Sequence, residues 1–370
     1  MGTENMGSER DLLPIVIINV ILILIIATAV FGNVLVCVAV YRSRALRNQV
    51  SNLFIVNLAL TDCCNAVLVM PASLASTITN RWVFSSEWCN GVCFLNYCFI
   101  IVSMCTLGLI SLDRYFAVAQ PLHYQTIVTR VRACVFIAST WVLGFIFASP
   151  PVFMNWIWYD NFEVVCAINW EENNDQVVIY TLSAFAICFC VPAIVMMFSY
   201  YGIYKIARKH SRLIAAENDR MAAVAEKIDQ DKQVSQIDSQ VQLTNSSHLS
   251  DSGKNTGKQE RNNKKQSPRK GKATRTIVTM VAVFFICLTP FCITKVLKAV
   301  YKDNGVVGMW VNTLATLLAY FNSCCNPIIY SITRRDFRRA FMVTLRCLRK
   351  YGKTPNEVTV FNISVFRDNE

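Results

Sequence analysis

The residues most out of keeping with their neighbours are polar and charged groups set in or beside long apolar runs. Asp62 lies inside one such run, in Asn57-Leu-Ala-Leu-Thr-Asp62. A carboxylate there is costly unless it faces a polar cavity, a partner or an ion. Asn33, Ser103, Asn322, Ser323 and Asn326 fall in other apolar runs and are its candidate companions. Oxygen groups around one carboxylate suit a hard cation, with sodium the natural occupant. A hydrogen-bonded network without an ion fits the same residues, and spacing alone divides the two readings evenly. Asp113-Arg114-Tyr115 closes another apolar run. An adjacent acid and base at that boundary can neutralise each other, which a purely structural pairing also explains. Of the 16 cysteines, most fall within apolar runs, where a thiol packs as a small hydrophobe. Cys89 and Cys166 sit instead at a run's end and in a loop, where an oxidising exterior could join them.

The elements that must position these groups follow from composition. Hydrophobic residues make up 54% of the 370 and charged residues only 16%, against about a quarter charged in soluble proteins. Apolar runs of roughly 20 residues are enough to cross a hydrocarbon core. Spans are expected at 13–40, 50–78, 87–119, 131–153, 176–207, 273–300 and 306–332. Backbone groups in lipid must be satisfied within the segment, so each should be a helix. The expected fold is all-α, a seven-transmembrane helix bundle over 13–332. Arg42, Arg44 and Arg47 follow the first span, Arg130 and Arg132 precede the fourth, and Arg208, Lys209 and Arg212 follow the fifth. Lys270, Lys272 and Arg275 precede the sixth, and Arg334, Arg335, Arg338 and Arg339 follow the seventh. Every second connection is therefore basic, which puts residues 1–12 outside and the C-terminus in the cytoplasm. The net charge of +12 sits in these connections, so it does not argue for nucleic acid. No cleavable signal peptide is expected, the first span serving as its own insertion signal.

The third cytoplasmic connection, 213–270, opens with an Ala-rich, helix-favouring stretch at 213–228 that should extend the fifth helix. Its polar remainder, rich in Ser, Gln, Asn and Lys, reads as disordered, as does the tail from 348 to 370. The sequon at Asn245 should be unused in a cytosolic loop, and Ser267 before Pro268 is a weak phosphosite candidate. Pro192, Pro290 and Pro327 interrupt the fifth, sixth and seventh spans. Each removes a backbone bond and bends its helix, giving hinges about which a bundle can rearrange.

An ordered set of motifs now spans the chain: Gly32-Asn33, Leu58-Ala-Leu-Thr-Asp62, Cys89 with Cys166, Asp113-Arg114-Tyr115, Trp141, Pro192 with Tyr200, Phe284 with Cys287-Leu-Thr-Pro290, and Asn326-Pro-Ile-Ile-Tyr330. This set resembles the rhodopsin-like (class A) G-protein-coupled receptors, with partial resemblance to the biogenic amine branch in the loop from Arg114 to Tyr124. The resemblance implies that Asp113, Arg114 and Tyr115 couple to a heterotrimeric G protein, with Leu122 inserting into it and Tyr200 and Tyr330 turning inward to support the active state. It implies a packing switch at Pro192, Met104 and Phe284, with Leu288 and Pro290 above it. It implies a Cys89–Cys166 bridge, and an amphipathic helix at 333–347 laid on the membrane by Phe337 and Phe341, with Cys347 as its palmitoylation site. Membrane lipids, arrestin and receptor kinases are the further partners implied.

Three departures from the family pattern matter. Leu288 stands where the family usually has a tryptophan. Lys270, Gly271 and Lys272 open the sixth helix where many relatives carry an acid to pair with Arg114, so elevated basal activity is expected. Asn96 stands where amine receptors carry their amine-binding aspartate, and a protonated amine needs a compensating charge in a low-dielectric pocket. A simple amine ligand is therefore not expected. The expected ligand pocket comprises Asn96, Tyr97, Phe185, Cys188, Phe291, Cys292, Thr316 and Tyr320, with Lys295 near its rim. The second extracellular loop carries Trp156, Trp158, Asp160 and Glu163 and could itself plug the mouth. Tyr320 occupies the position of the retinal lysine, which argues against an opsin. The three histidines fall in cytoplasmic segments, which argues against extracellular proton sensing. The expected ligand is small or lipid-like, or the receptor acts without one. A channel or transporter would show repeat symmetry or several charges along a path, and an enzyme would show a nucleophile with a base in reach. A non-signalling seven-helix scaffold remains the other alternative.

Overall fold

A computed structural model describes residues 11–171, 175–244 and 269–351. The helices are α1 (Leu12–Arg42), α2 (Ser51–Leu68 and Met70–Thr79), α3 (Ser86–Ala119) and α4 (Arg130–Phe153). After them come α5 (Asp175–Ala184, a π-helical turn Phe185–Cys190, then Val191–Thr244), α6 (Arg269–Tyr301), α7 (Met309–Thr333) and α8 (Arg335–Tyr351). Six of the first seven are long and apolar enough to cross a membrane, and α7, at 25 residues, completes the bundle. The helices form where the apolar runs predict them, within a few residues. α1 exposes Ile23, Leu24 and Phe31 on its outer side, as expected of a helix facing lipid tails.

Local chemistry sets the boundaries. Ser43, before a short helical turn at Arg44–Arg47, and Ser85 and Thr129, before α3 and α4, each lend a side-chain oxygen to a backbone N–H of the turn that follows, satisfying one of the free donors at a helix start. α2 breaks at Val69, just ahead of Pro71, and ends on Asn80 in the left-handed conformation. α5 widens into its π-turn immediately before Pro192, where the missing proline N–H loosens the helical ladder. Pro290 and Pro327 lie within continuous helices.

Two expectations need correcting. The α5 extension does not stop near residue 228 but runs helically to Thr244, where disorder was expected. Its five glutamines, with Lys232 and Leu243, favour helix; its Asp, Ser, Val, Ile and Thr residues do not, and the stretch continues the helix already established upstream. Phe337 and Phe341 do not face the membrane. They are buried against the bundle, Phe337 beside Tyr330 at 5.4 Å between ring centroids. Met342, Val343 and Leu345 are the exposed apolar residues of α8 instead. The termini, Asn245, Ser267 and Pro268 lie outside the described residues.

One element was not foreseen. The second extracellular loop folds into an antiparallel hairpin of β1 (Ile157–Asp160) and β2 (Val165–Ile168), with Tyr159 opposite Cys166. Cys166 is bonded to Cys89 at the outer end of α3, with 5.5 Å between their Cα atoms. Every residue of β2 is buried. The disulfide thus draws the hairpin over the end of the bundle at which α3 begins.

Candidate functional site

Three groups of residues, at the cytoplasmic end, the middle and the extracellular end, account for almost all the residues singled out from sequence. At the cytoplasmic end, Asp113 is buried and Arg114 keeps 26% of its side chain exposed. The Arg114 Nε lies 3.3 Å from Asp113 Oδ2, and Tyr124 donates to Asp113 Oδ1 at 2.6 Å. Burial and the adjacent Asp113 push the pKa of the Tyr124 hydroxyl above its ordinary value, so it remains a donor at physiological pH. Tyr115 packs on Phe198 of α5 and lies so near Gly202 that its ring leaves no room for a Cβ there. Tyr200 shares a 2.8 Å hydrogen bond with Ser111. The Tyr330 hydroxyl is buried without a hydrogen-bond partner among the described residues. Leu122, on the loop after α3, is 92% exposed. The side chains of Lys270 and Lys272 lie outside the described set, so Arg114's pairing with Asp113 is the one described there.

In the middle, Asp62 accepts from Ser323 Oγ at 3.1 Å and from Asn326 Nδ2 at 3.0 Å. Asn33 donates to the backbone carbonyl of Ser323 at 2.9 Å, which ties α1 to the same stretch of α7. Ser103 turns to Thr61 at 2.9 Å rather than to Asp62, and Asn322 is buried nearby in sequence. Trp141 donates to Asn57, which donates to Thr106, linking α4, α2 and α3. Met104, Phe284 and Leu288 share one buried core cluster, and buried Pro192 lies on α3 at Gly108. Leu288, at the position where the resembled family usually has a tryptophan, is packed as an aliphatic core residue.

At the extracellular end, a cavity of about 640 Å³, its opening included, lies among α3, α5, α6 and the hairpin. Tyr97, Phe185, Cys188, Phe291, Cys292 and Lys295 line it, as the sequence predicts. Three predicted residues do not. Asn96 is buried off the cavity, its carbonyl oxygen without a partner among the described residues. Thr316 and Tyr320 line a second, smaller cavity of about 200 Å³, where the Tyr320 hydroxyl meets Ser73 at 2.9 Å. The reason is helix rotation: a period read along one span does not say which neighbour its face meets. Ile168 and Trp170, from β2 and just beyond it, complete the main cavity's wall.

Sequence reading missed how the loop is held. Lys298 is fully buried, 2.7 Å from Asp160 and 2.8 Å from Glu163. Lys295 pairs with Glu163 and lies 4.8 Å from the Phe291 ring centroid. It is therefore a buried group and not a rim residue. The signal that could have found the cluster is the spacing of Lys295 and Lys298, one helical turn apart at the outer end of α6, facing a loop with two acids.

A seven-helix bundle, six of its helices apolar enough to cross a membrane, with a disulfide-tethered loop over a cavity at one end and an Asp-Arg-Tyr triplet at the other, has the plan of a seven-helix membrane receptor. Residues 32–330 match the family described as 7 transmembrane receptor (rhodopsin family), and the chain belongs to that G-protein-coupled family. It is similar to the histamine H2 receptor of Cavia porcellus, 30% identical across 93% of this chain and 83% of that one. The octopamine receptor beta-2R of Chilo suppressalis is also 30% identical, across 88% of this chain and 79% of its own. The 5-hydroxytryptamine receptor 1 of Aplysia californica is 28% identical, across 90% and 73%.

Proposed function

We propose that this chain is a plasma-membrane receptor, its N-terminus extracellular, that passes a signal or an elevated basal activity to a heterotrimeric G protein. The observation that supports it is the cytoplasmic mouth: a part-exposed Arg114 held by Asp113 beside the exposed Leu122. Arrestin and receptor kinases would read the same face, and Cys347 would carry a lipid.

The relatives are named for amines, yet the cavity supports a ligand of another class. Lys295 is the one charged side chain on its wall among the described residues. A protonated amine would find no carboxylate on that wall to balance its charge, and the one cation there, Lys295, already holds Glu163. The ligand we infer has an apolar body and no positive charge. Asp62 and Ser323 could hold sodium, but Asn326 points its amide nitrogen at the carboxylate and would have to turn its oxygen inward.

The test is ligand-free G-protein activation across the main G-protein classes, at matched surface expression. Activity should exceed background, fall to background in Arg114→Ala, and fall in Lys270→Glu, which supplies an acid to hold the arginine. Silence in the wild type would remove the basal-activity reading, and silence under every stimulus would leave a non-signalling scaffold.

A further inference from the structure

The two lysines at the outer end of α6 do not depend on their partners equally. Asp160 is anchored: its Oδ1 accepts the backbone N–H of Phe162 at 2.8 Å and of Glu163 at 3.3 Å. Its Oδ2 faces Lys298 at 2.7 Å. Lys298 therefore keeps a fixed acid whatever Glu163 does. Glu163 divides its carboxylate, Oε1 to Lys298 and Oε2 to Lys295. It is the ion-pair partner of Lys295, and Lys295 is the charge on the cavity wall. The turn that carries Glu163 is strained. Val164 holds a φ of 58°, a conformation costly for a β-branched residue.

Resting on the reading of this cavity as the ligand site, we propose that it takes an anionic amphiphile, a single apolar chain with a carboxylate head, and that the head replaces Glu163 on Lys295. The chain then lies along Ile100, Met104, Phe185 and Phe189, all on the cavity wall. The charges balance after the exchange. Asp160 holds Lys298, the ligand holds Lys295, and the Glu163 side chain swings away while its backbone N–H stays on Asp160, so two buried cations still face two anions. Such a set is tolerated inside a protein only when each member stays paired. An uncharged head can accept a hydrogen bond from Lys295 but brings no counter-charge in place of Glu163, and a cationic head would add a third positive charge. Glu163 is in this sense the receptor's own competing anion.

The experiment is direct binding of radiolabelled dodecanoate, with dodecanol and dodecylamine as controls, to purified full-length receptor in lipid nanodiscs. Wild type should bind dodecanoate in preference to both controls. Glu163→Gln keeps the side chain's shape but removes the competing charge, and should bind dodecanoate at least about tenfold more tightly. Lys295→Met should lose the preference for dodecanoate over dodecanol. The double variant Glu163→Gln with Lys295→Met removes one charge of each sign, so it serves as a folded, charge-balanced reference, checked by thermal unfolding. Dodecanoate binding that is absent, equal in wild type and the double variant, or no tighter in Glu163→Gln would overturn the proposal. G-protein nucleotide exchange is read separately. Charge-dependent binding without signalling would strike at the receptor's proposed output and leave the ligand class standing, whereas signalling with charge-independent binding would do the reverse.

Discussion

At the scale of single residues, the cytoplasmic end shows a carboxylate held from two sides. Arg114 and Tyr124 both reach Asp113, one by charge and one by a 2.6 Å hydrogen bond. Removing the Tyr124 hydroxyl leaves a buried carboxylate oxygen short of a donor, which costs about 1–3 kcal/mol. Tyr124→Phe should therefore weaken the Asp113–Arg114 pairing's hold on the resting state. The expected outcome is ligand-free nucleotide exchange raised by about two- to tenfold, measured in membranes at equal receptor number. Unchanged exchange would mean that Tyr124 only fixes the loop. Asp113 and Arg114 were legible in the sequence as an adjacent acid and base at a membrane boundary, and Tyr115 through the family motif they share. Tyr124's role was not, because a residue eleven positions away meets Asp113 only once the loop folds back under α3.

At the scale of elements, α8 shows which of two forces docks a helix. Arg334 bonds Asp336 at 2.9 Å and lies 4.5 Å from the Phe337 ring centroid. Burial alone would raise the pKa of the Asp336 carboxyl, but the hydrogen bond and charge of Arg334 outweigh it and hold it below the ordinary value. Its contribution is therefore fully present above the ordinary carboxylate range and is lost only as pH falls through the lowered value. Docking should not vary with pH near neutrality. The pair is half exposed, and such pairs are worth about 0–1 kcal/mol, whereas truncating a buried phenylalanine costs about 3–5 kcal/mol. Phe337→Ala should markedly lower the receptor's thermal unfolding temperature in detergent, and Asp336→Asn should hardly move it. An equal effect of both would show that the ion pair, not the ring, holds α8. The helix itself was legible as basic and apolar residues at helical spacing. Its orientation was not, since lipid and the flank of a protein reward the same apolar face.

At the scale of the whole molecule, close approaches between helices set the bundle's geometry. Gly32 of α1 meets Pro327 of α7, where a Cβ would sit 2.9 Å from the proline ring. One residue along, Asn33 bonds the backbone of Ser323, and one turn before Pro327 the Ser323 hydroxyl reaches Asp62. Three helices converge there, so separating α1 from α7 disturbs the Asp62 network as well. Gly32→Ala should cost about 1–3 kcal/mol through overpacking, read as a lower unfolding temperature, and Gly91→Ala, with open space around it, should be neutral. If both were neutral, the α1–α7 contact would be looser than its geometry implies.

Much about this protein was determined by the sequence alone. The lengths of the apolar runs set the number and limits of the spans, because a bilayer of fixed thickness admits few alternatives. The alternation of basic connections set their expected direction, and the ordered motifs set the family. What only the tertiary structure decided is which side chains share a space. The hairpin over the mouth, the pairing of Asp160 and Glu163 with Lys298 and Lys295, and the exclusion of Asn96 from the main cavity all depend on helix rotation and loop path. Those are set by packing between segments more than a hundred residues apart, such as Glu163 and Lys298, and no local periodicity records them.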